Sequence, residues 1–341
     1  MPSQSSLNRR QLLALSAAAA AITPGIAAQV SGEAGPDTGP EAAVSPDLSG
    51  KSILVTGSSS GFGRLGVEYY ARLGAKVFAT MRNIPRPEAD ELRDLASSDN
   101  LDLSVIEIDV TSDDQVEAGV SQALVANEGK LDVLINNAGI SVGGPIEIQD
   151  MAATEQTFNT NVYGCHRMAR AALPSMRANG SGQIFNISSQ LGRLVIPGFG
   201  MYSATKFALE AMSEQMAYEL VPHGVDVTII QPGGYPTNIW ANNNANSGPL
   251  KERTSEELLA AYPALTAGMG ERTGGGSTDP MDIPRAIAEI IAMPAGTRPL
   301  RKAVHPIARP QEGINEASAQ TQVAMLGESP FGPWVKGVLQ R

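Results

Sequence analysis

The stretch that most restricts how this chain can fold runs from Ser52 to Thr80. Ser52-Ile53-Leu54-Val55-Thr56 is a continuous apolar run of strand length, and Gly57-Ser58-Ser59-Ser60-Gly61-Phe62-Gly63 follows it. Apolar residues then recur with helical spacing at Leu65, Val67, Tyr70 and Leu73 up to Gly74, and Ala75-Lys76-Val77-Phe78-Ala79-Thr80 reads as a second strand. Strand, glycine turn, helix and strand within about thirty residues form the βαβ unit that binds dinucleotides. The glycines let backbone approach a pyrophosphate, whose charge sits where the first N–H groups of the helix point outward. The spacing is Gly-x-x-x-Gly-x-Gly, not the commoner Gly-x-Gly-x-x-Gly, so its position between a buried strand and an amphipathic helix carries the reading. A plain tight turn is the alternative.

The alternation continues. Leu103 to Ile108 is a strand ending at Asp109-Val110, Asp113 to Asn127 a helix, and Leu131 to Ile135 a strand running into Asn136-Asn137-Ala138-Gly139. Met151 to Met176 is a long helical region, interrupted near Gly164 and Pro174. Gln183 to Ile187, Asp226 to Gln231 and Arg301 to Val304 read as further strands. The pattern predicts an α/β protein with a doubly wound parallel sheet, a Rossmann fold, in a single domain over residues 49–306.

After the strand Gln183 to Ile187 come Ser188-Ser189, a loop with Gly192, Pro197, Gly198 and Gly200, and then Tyr202-Ser203-Ala204-Thr205-Lys206, which opens a long helix. Tyr202 and Lys206 are four apart and leave one face of that helix. A phenol titrates near pH ~10, and a fixed ammonium one turn away favours the phenolate, bringing proton exchange within reach at neutral pH. Ser189, at the strand end, can hold a carbonyl or hydroxyl oxygen beside the phenol. Taken alone, Tyr202 and Lys206 also fit an ordinary surface pair, Asp109 a helix cap, Asn161 a solvent-facing asparagine and Ser189 a turn former.

At the end of the second strand, sites that prefer NAD carry an acid for the ribose 2′-hydroxyl. Here the residues are Thr80-Met81-Arg82-Asn83, with no acid before Glu88. Arg82 has the planar fork that suits a 2′-phosphate, which favours NADP(H) and leaves NAD(H) possible.

With 35 acids against 25 bases the net charge is −10, and no basic stripe is present, which argues against nucleic acid as a partner. Cys165 is the only cysteine, so no intrachain disulfide can form, and it reads as a small buried hydrophobe. His166, His223 and His305 do not cluster at ligand spacing, so no metal site is expected. Near the N-terminus, Arg9-Arg10 precede an apolar run from Leu12 to about Ile22, then Pro24-Gly25 and Ala27-Ala28. Residues 1–28 resemble a twin-arginine export signal, implying a periplasmic protein, and the run is too short to span a bilayer stably. An uncleaved anchor is the rival reading. Residues 29–48, rich in glycine and proline, read as a linker.

These motifs together resemble the short-chain dehydrogenase/reductase family, in the family's order and spacing. They are Thr56-Gly57 with Gly61 and Gly63, Asp109, Asn136-Asn137-Ala138-Gly139, Asn161-Val162-Tyr163-Gly164, Ser189, Tyr202 with Lys206, and Pro232-Gly233 with Thr237. The Thr80-Met81-Arg82-Asn83 stretch resembles members acting on steroid- or retinoid-type alcohols and ketones. The resemblance implies that Tyr202 is the acid or base, that Ser189 bonds the substrate oxygen, and that Lys206 holds the nicotinamide ribose and eases loss of the phenol proton. It implies that Asn161 interrupts its helix and places a water in the proton relay. Gly57, Ser59, Ser60, Gly61, Phe62 and Gly63 would cradle the pyrophosphate. Asp109 and Val110 would meet the adenine, Asn137, Ala138 and Gly139 the adenosine ribose, and Pro232, Gly233 and Thr237 the nicotinamide. It further implies a homodimer or homotetramer pairing the Asn161 and Tyr202 helices.

The resulting expectation is an oxidoreductase that interconverts a secondary alcohol and a ketone of mostly apolar character. A nucleotide-binding scaffold without catalysis and a sugar-nucleotide epimerase or dehydratase are the alternatives. Tyr235 to Pro249 reads as a polar loop over the substrate, with Val142, Phe199, Ile239 and Trp240 as pocket candidates, followed by a short helix Glu256 to Leu265 and a longer one Ile283 to Met293. The tail 307–341 carries an apolar cluster at Phe331, Trp334, Val335 and Leu339 that docks either on the domain or on another subunit.

Overall fold

The computed structural model describes residues 45–341. The arginine pair and most of the stretch read as a linker lie outside the described residues. Seven strands form one parallel sheet: β1 (Ser52–Thr56), β2 (Lys76–Met81), β3 (Leu103–Glu107), β4 (Val133–Asn136), β5 (Gly182–Ile187), β6 (Val225–Pro232) and β7 (Arg301–Val304). Their order is β3-β2-β1-β4-β5-β6-β7 and every neighbouring pair is parallel. The chain therefore steps outward one way from β1 to β3 and the other way from β4 to β7. That reversal opens a crevice at the carboxyl ends of β1 and β4, the place where doubly wound sheets bind ligands.

Both faces of the sheet are covered, which is why its strands read as apolar runs and not as alternating ones. Successive side chains point to opposite faces. Ile53, Val55, Val77 and Ala79 pack beneath α1 (Gly61–Arg72), α2 (Pro87–Ser98) and, from the distant end of the chain, α10 (Asp282–Ala292). Leu54, Phe78 and Leu134 face the other way, against α3 (Asp113–Val125), α5 (Gly164–Ala178) and α6 (Tyr202–Leu220). The helical region after β4 is split as expected. A π-turn, Asn159–Tyr163, separates α4 (Met151–Phe158) from α5, while Pro174 is accommodated inside α5.

Three regions differ from the expectation. Ile239–Glu252 is a helix, α7, where the polar composition had read as a loop. It has no apolar stripe to announce it; instead Asn243 and Ser247, one turn apart, are buried and bond the loop after β4. Asn243 donates to Ser141 Oγ at 2.8 Å and Ser247 Oγ accepts from the Gly143 N–H at 2.7 Å. The segment after it forms two short helices, α8 (Glu256–Ala261) and α9 (Pro263–Thr266), broken where Pro263 starts a new turn. Leu48, within the stretch read as a linker, is fully buried and donates its N–H to Leu73 O at 2.9 Å, so close packing begins there.

The tail forms α11 (Gln311–Leu326) and α12 (Gly332–Leu339), and α12 lays Val335 and Val338 into the domain's own core. A buried charge network fixes this end. Arg301 on β7 bonds Glu210 (2.8 Å) and Glu214 (2.6 Å) of α6, Gln231 on β6 donates to Glu210, and Asn315 on α11 donates to Gln231. Burial pushes the Glu214 carboxyl up, and the Arg301 charge with bonds from Tyr218, Arg301 and Gln322 more than offsets it, leaving Glu214 below its ordinary range.

Candidate active site

Thr56, the last residue of β1, joins the two strands that flank the crevice. Its Oγ1 accepts the N–H groups of Asn137 and Ala138, each at 3.0 Å. The Asn137 amide reaches back and donates to Thr56 O (2.9 Å) and Gly57 O (3.2 Å). Asn137 thus shapes the glycine turn with its side chain. Gly63 has no room for anything larger, since a Cβ there would lie 2.4 Å from Gly57 O and 2.5 Å from Asn137 Nδ2.

The same turn leaves space on its open side. Gly61, at φ +57, faces Thr237, and a Cβ added there would meet Thr237 Cβ at 3.6 Å. Ser60 caps α1 without a side-chain hydrogen bond, and the first turn holds no acid, so the leading N–H groups are not taken by a cap. Ser59 and Ser60 are half-buried on this turn, and Phe62 packs edge-on against Tyr235, with ring centroids 5.5 Å apart. Pro232 and Gly233 end β6 beside it, the Gly233 N–H donating to Val304 O at 3.1 Å.

On the other side of the crevice stand Lys206, Tyr202, Ser189 and Asn161. Lys206 is 5% exposed, donates Nζ to Ile187 O at 2.8 Å, and lies 5.6 Å from the centroid of the Tyr202 ring. It belongs to no ion pair among the described residues. Ser189, two residues past Ile187, accepts the Leu191 N–H at 3.1 Å and is buried. Asn161 sits in the π-turn, fully buried, accepting from Ile140 N (2.8 Å) and donating to Ile140 O (2.9 Å) and Thr205 Oγ1 (3.0 Å). Its amide is engaged with protein partners and ties the loop after β4 to the start of α6. A Cβ on Gly139 would stand 3.4 Å from Asn161 Oδ1 and 3.7 Å from Lys206 Nζ. The missing side chain thus leaves a recess lined by an asparagine and an ammonium, suited to sugar hydroxyls. Cys165 below it is buried, and burial pushes its thiol up to about 11, so it stays a thiol.

Beyond the ends of β2 and β3, Arg82 and Asp109 lie together. Arg82 Nη1 is 3.9 Å from Asp109 Oδ2, with the arginine side chain 58% exposed, while Asp109 Oδ1 accepts from Thr111 N and Oγ1. Val110 is buried under Gly164. On the substrate side, Val142 is enclosed in a small cluster with Ile148, Leu250 and Met269. Phe199 is half-buried beneath the Arg272 guanidinium, Ile239 opens α7, and the Trp240 Nε1–H donates to Tyr235 O at 3.0 Å.

Several supporting contacts carried no sequence signal, although Asn136 belongs to a motif already singled out. Thr205 bridges Asn161 to Tyr202 O (2.7 Å), and Asn136, Asn186 and Ser213 form a buried hydrogen-bonded chain beneath the crevice. Their partners are brought together only by the sheet and could not be read from local spacing. Arg272 likewise stood in a glycine-rich stretch with nothing to mark it.

A model of short chain dehydrogenases matches residues 51–248, and the chain belongs to that family of oxidoreductases. It is 33% identical over 264 residues to the uncharacterized oxidoreductase YusZ of Bacillus subtilis, covering 76% of this chain and 89% of that one. It is 38% identical over 192 residues to a 3-ketodihydrosphingosine reductase of Bacteroides thetaiotaomicron, covering 56% of this chain and 66% of that one. Among solved structures, a short chain dehydrogenase/reductase of Burkholderia phymatum in complex with NAD superposes with a TM-score of 0.64 at 25% identity, covering 83% of this chain and 97% of that one. A nicotinamide cofactor fits this relationship. Among the described residues no helix is long and apolar enough to cross a membrane.

Proposed function

We propose that the protein is an exported, NADP-preferring oxidoreductase that interconverts a secondary alcohol and a ketone of mostly apolar character. The observation that carries this reading is Lys206: a buried ammonium without an acidic partner among the described residues, held on Ile187 O against the Tyr202 ring and facing the recess at Gly139. A charge kept at that depth needs further oxygen partners, and ribose hydroxyls supply them. A bound nicotinamide supplies the hydride chemistry. Gly57, Ser59, Ser60, Gly61, Phe62 and Gly63 would hold the pyrophosphate, Asn137, Ala138 and Gly139 the adenosine ribose, Lys206 the nicotinamide ribose, and Pro232, Gly233 and Thr237 the nicotinamide.

Ser189 already accepts a hydrogen bond from Leu191 N–H, so its own O–H is left to donate to the substrate oxygen. Tyr202 gives that oxygen a proton in reduction and takes it back in oxidation. The Lys206 ammonium offers positive charge where negative charge develops on the phenol. Asn161 and Thr205 keep the Tyr202 helix in register with the loop after β4. The apolar substrate body is supported by the residues on this side, Phe199, Ile239 and Trp240, and by the relative named as reducing a keto compound.

Arg82 supports NADP over NAD. It ends β2 half-exposed, its distance to Asp109 is that of a loose pair, and a 2′-phosphate would draw it away. Exposed Tyr163 (52%) and Phe207 (40%), on the π-turn and on α6, support pairing of these helices between two copies.

Tyr202→Phe is expected to lower kcat by roughly 10²–10⁴-fold with NADPH affinity nearly unchanged, and turnover within a few-fold of the parent would remove Tyr202 from the chemistry. Arg82→Gln should raise KM for NADPH by about tenfold while leaving KM for NADH alone; equal effects on both cofactors would end the 2′-phosphate assignment. Light scattering on sized protein should find at least a dimer that Phe207→Asp shifts to monomer, and a parent that is already monomeric contradicts the pairing. Export by the twin-arginine route predicts that changing Arg9 and Arg10 together to Lys holds the protein in the cytoplasmic fraction, and an unchanged distribution would sink it.

A further inference from the structure

Resting on the oxidoreductase reading, we infer that the substrate carries a carboxylate at the end remote from its reacting carbon, and that Arg272 receives it. The guanidinium lies between the two loops that frame the substrate side. Its Nη2 donates to Gly198 O at 2.6 Å, and its carbon sits 4.8 Å from the centroid of the Phe199 ring. It also fills the space over Gly143 and Gly198: a Cβ at Gly143 would meet its Nε at 3.3 Å, and one at Gly198 would meet its Nη2 at 2.9 Å. Gly143 is four residues past Gly139, in the loop that lines the ribose recess. Phe199 accepts the N–H of Tyr202 at 3.2 Å, so the stacked ring belongs to the turn that presents the phenol. The arginine backbone is clipped to α7 by both ends of the Asn244 amide, at 2.8 and 2.9 Å, which fixes where the side chain starts.

The charge has no answer within the described residues. Arg298, Arg301 and Arg341, whose side chains are largely buried, are paired, Arg298 and Arg341 with Asp226 and Arg301 with Glu210 and Glu214. Arg272, half-buried, belongs to no ion pair among the described residues, and burial alone holds it below the ordinary guanidinium range. Of its five N–H donors, one reaches a neutral carbonyl. A cation kept at this depth with one neutral partner is costly unless an anion completes it, and a stacked guanidinium presents its edge for two parallel bonds to a carboxylate. If the arginine served only to staple Gly198, a neutral donor would do the same work without a buried charge. The substrate class that follows is an oxo acid or hydroxy acid with an apolar stretch between its two polar ends.

The test uses a series of straight-chain oxo acids with the carboxylate progressively farther from the ketone, each assayed with NADPH beside its methyl ester. The parent protein should favour at least one acid over its ester by about tenfold or more in kcat/KM. Arg272→Gln should bring that ratio close to one through a higher KM for the acid, and Arg272→Lys should keep part of it, because charge remains while the fork is lost. A merely structural arginine would change acid and ester alike. Equal handling of acid and ester by the parent, or a preference that survives Arg272→Gln, overturns the inference. Should Arg272→Gln fail to fold by thermal melt, the parent ratio and its partial loss in Arg272→Lys decide alone. Calorimetric titration of the parent with each acid and ester separates the two readings. Acid binding without any turnover would sink the oxidoreductase reading and keep this one, whereas turnover of ester and acid alike would do the reverse.

Discussion

Everything the crevice does depends on how β1 and β4 are fastened where the sheet reverses direction. A parallel sheet leaves its backbone groups unpaired at the carboxyl ends, and at this point no helix crosses to cover them. Thr56 Oγ1 takes two of the N–H groups, those of Asn137 and Ala138, and the Asn137 amide takes the carbonyls of Thr56 and Gly57. The glycine turn is thereby pressed against the neighbouring loop so closely that Gly63 admits no side chain. The N–H groups left without a side-chain cap are those at the start of α1, beside Thr237.

A second clasp sets the other wall. The π-turn puts Asn161 in a buried position from which its amide engages Ile140 on one side and Thr205 on the other. The extra residue of that turn reorients the asparagine relative to the regular helices before and after it. Together with the bond from Lys206 to Ile187 O, this joins the loop after β4, the end of β5 and the first turn of α6. Tyr202 and Lys206 are then placed by three elements far apart in sequence. A shift of any one would move the phenol relative to Ser189, and proton transfer tolerates little misplacement.

The C-terminal elements contribute mainly by closing the sheet. Arg301 links β7 to α6 through Glu210 and Glu214, and Gln231 with Asn315 extends the network to β6 and α11. Removing one partner would strand a buried charge at a cost of about 3–5 kcal/mol, so this cluster gives the outer strand a defined register despite its short length. It also holds α6 by the face that carries Lys206, since Lys206, Glu210 and Glu214 follow one another at intervals of four residues.

The sequence by itself determined the sheet, the strand identities and the glycine turn, because continuous apolar runs and helical spacing are local signals set by burial on both faces. It also marked Tyr202, Lys206 and Ser189, since side-chain spacing on a helix and residues ending a strand can be read without the fold, whereas Asn161 was marked only by the resemblance of its motif. The tertiary structure alone decided the helix Ile239–Glu252, whose buried contacts are the hydrogen bonds of Asn243 and Ser247 and not an apolar stripe. It alone decided that the tail packs through Val335 and Val338 on its own domain. It alone set Arg272, in no ion pair among the described residues, over Phe199 and onto Gly198 O, both more than seventy residues away along the chain. Long-range polar contacts and unpaired charges leave no periodicity behind, so only the assembled sheet and its loops could reveal them.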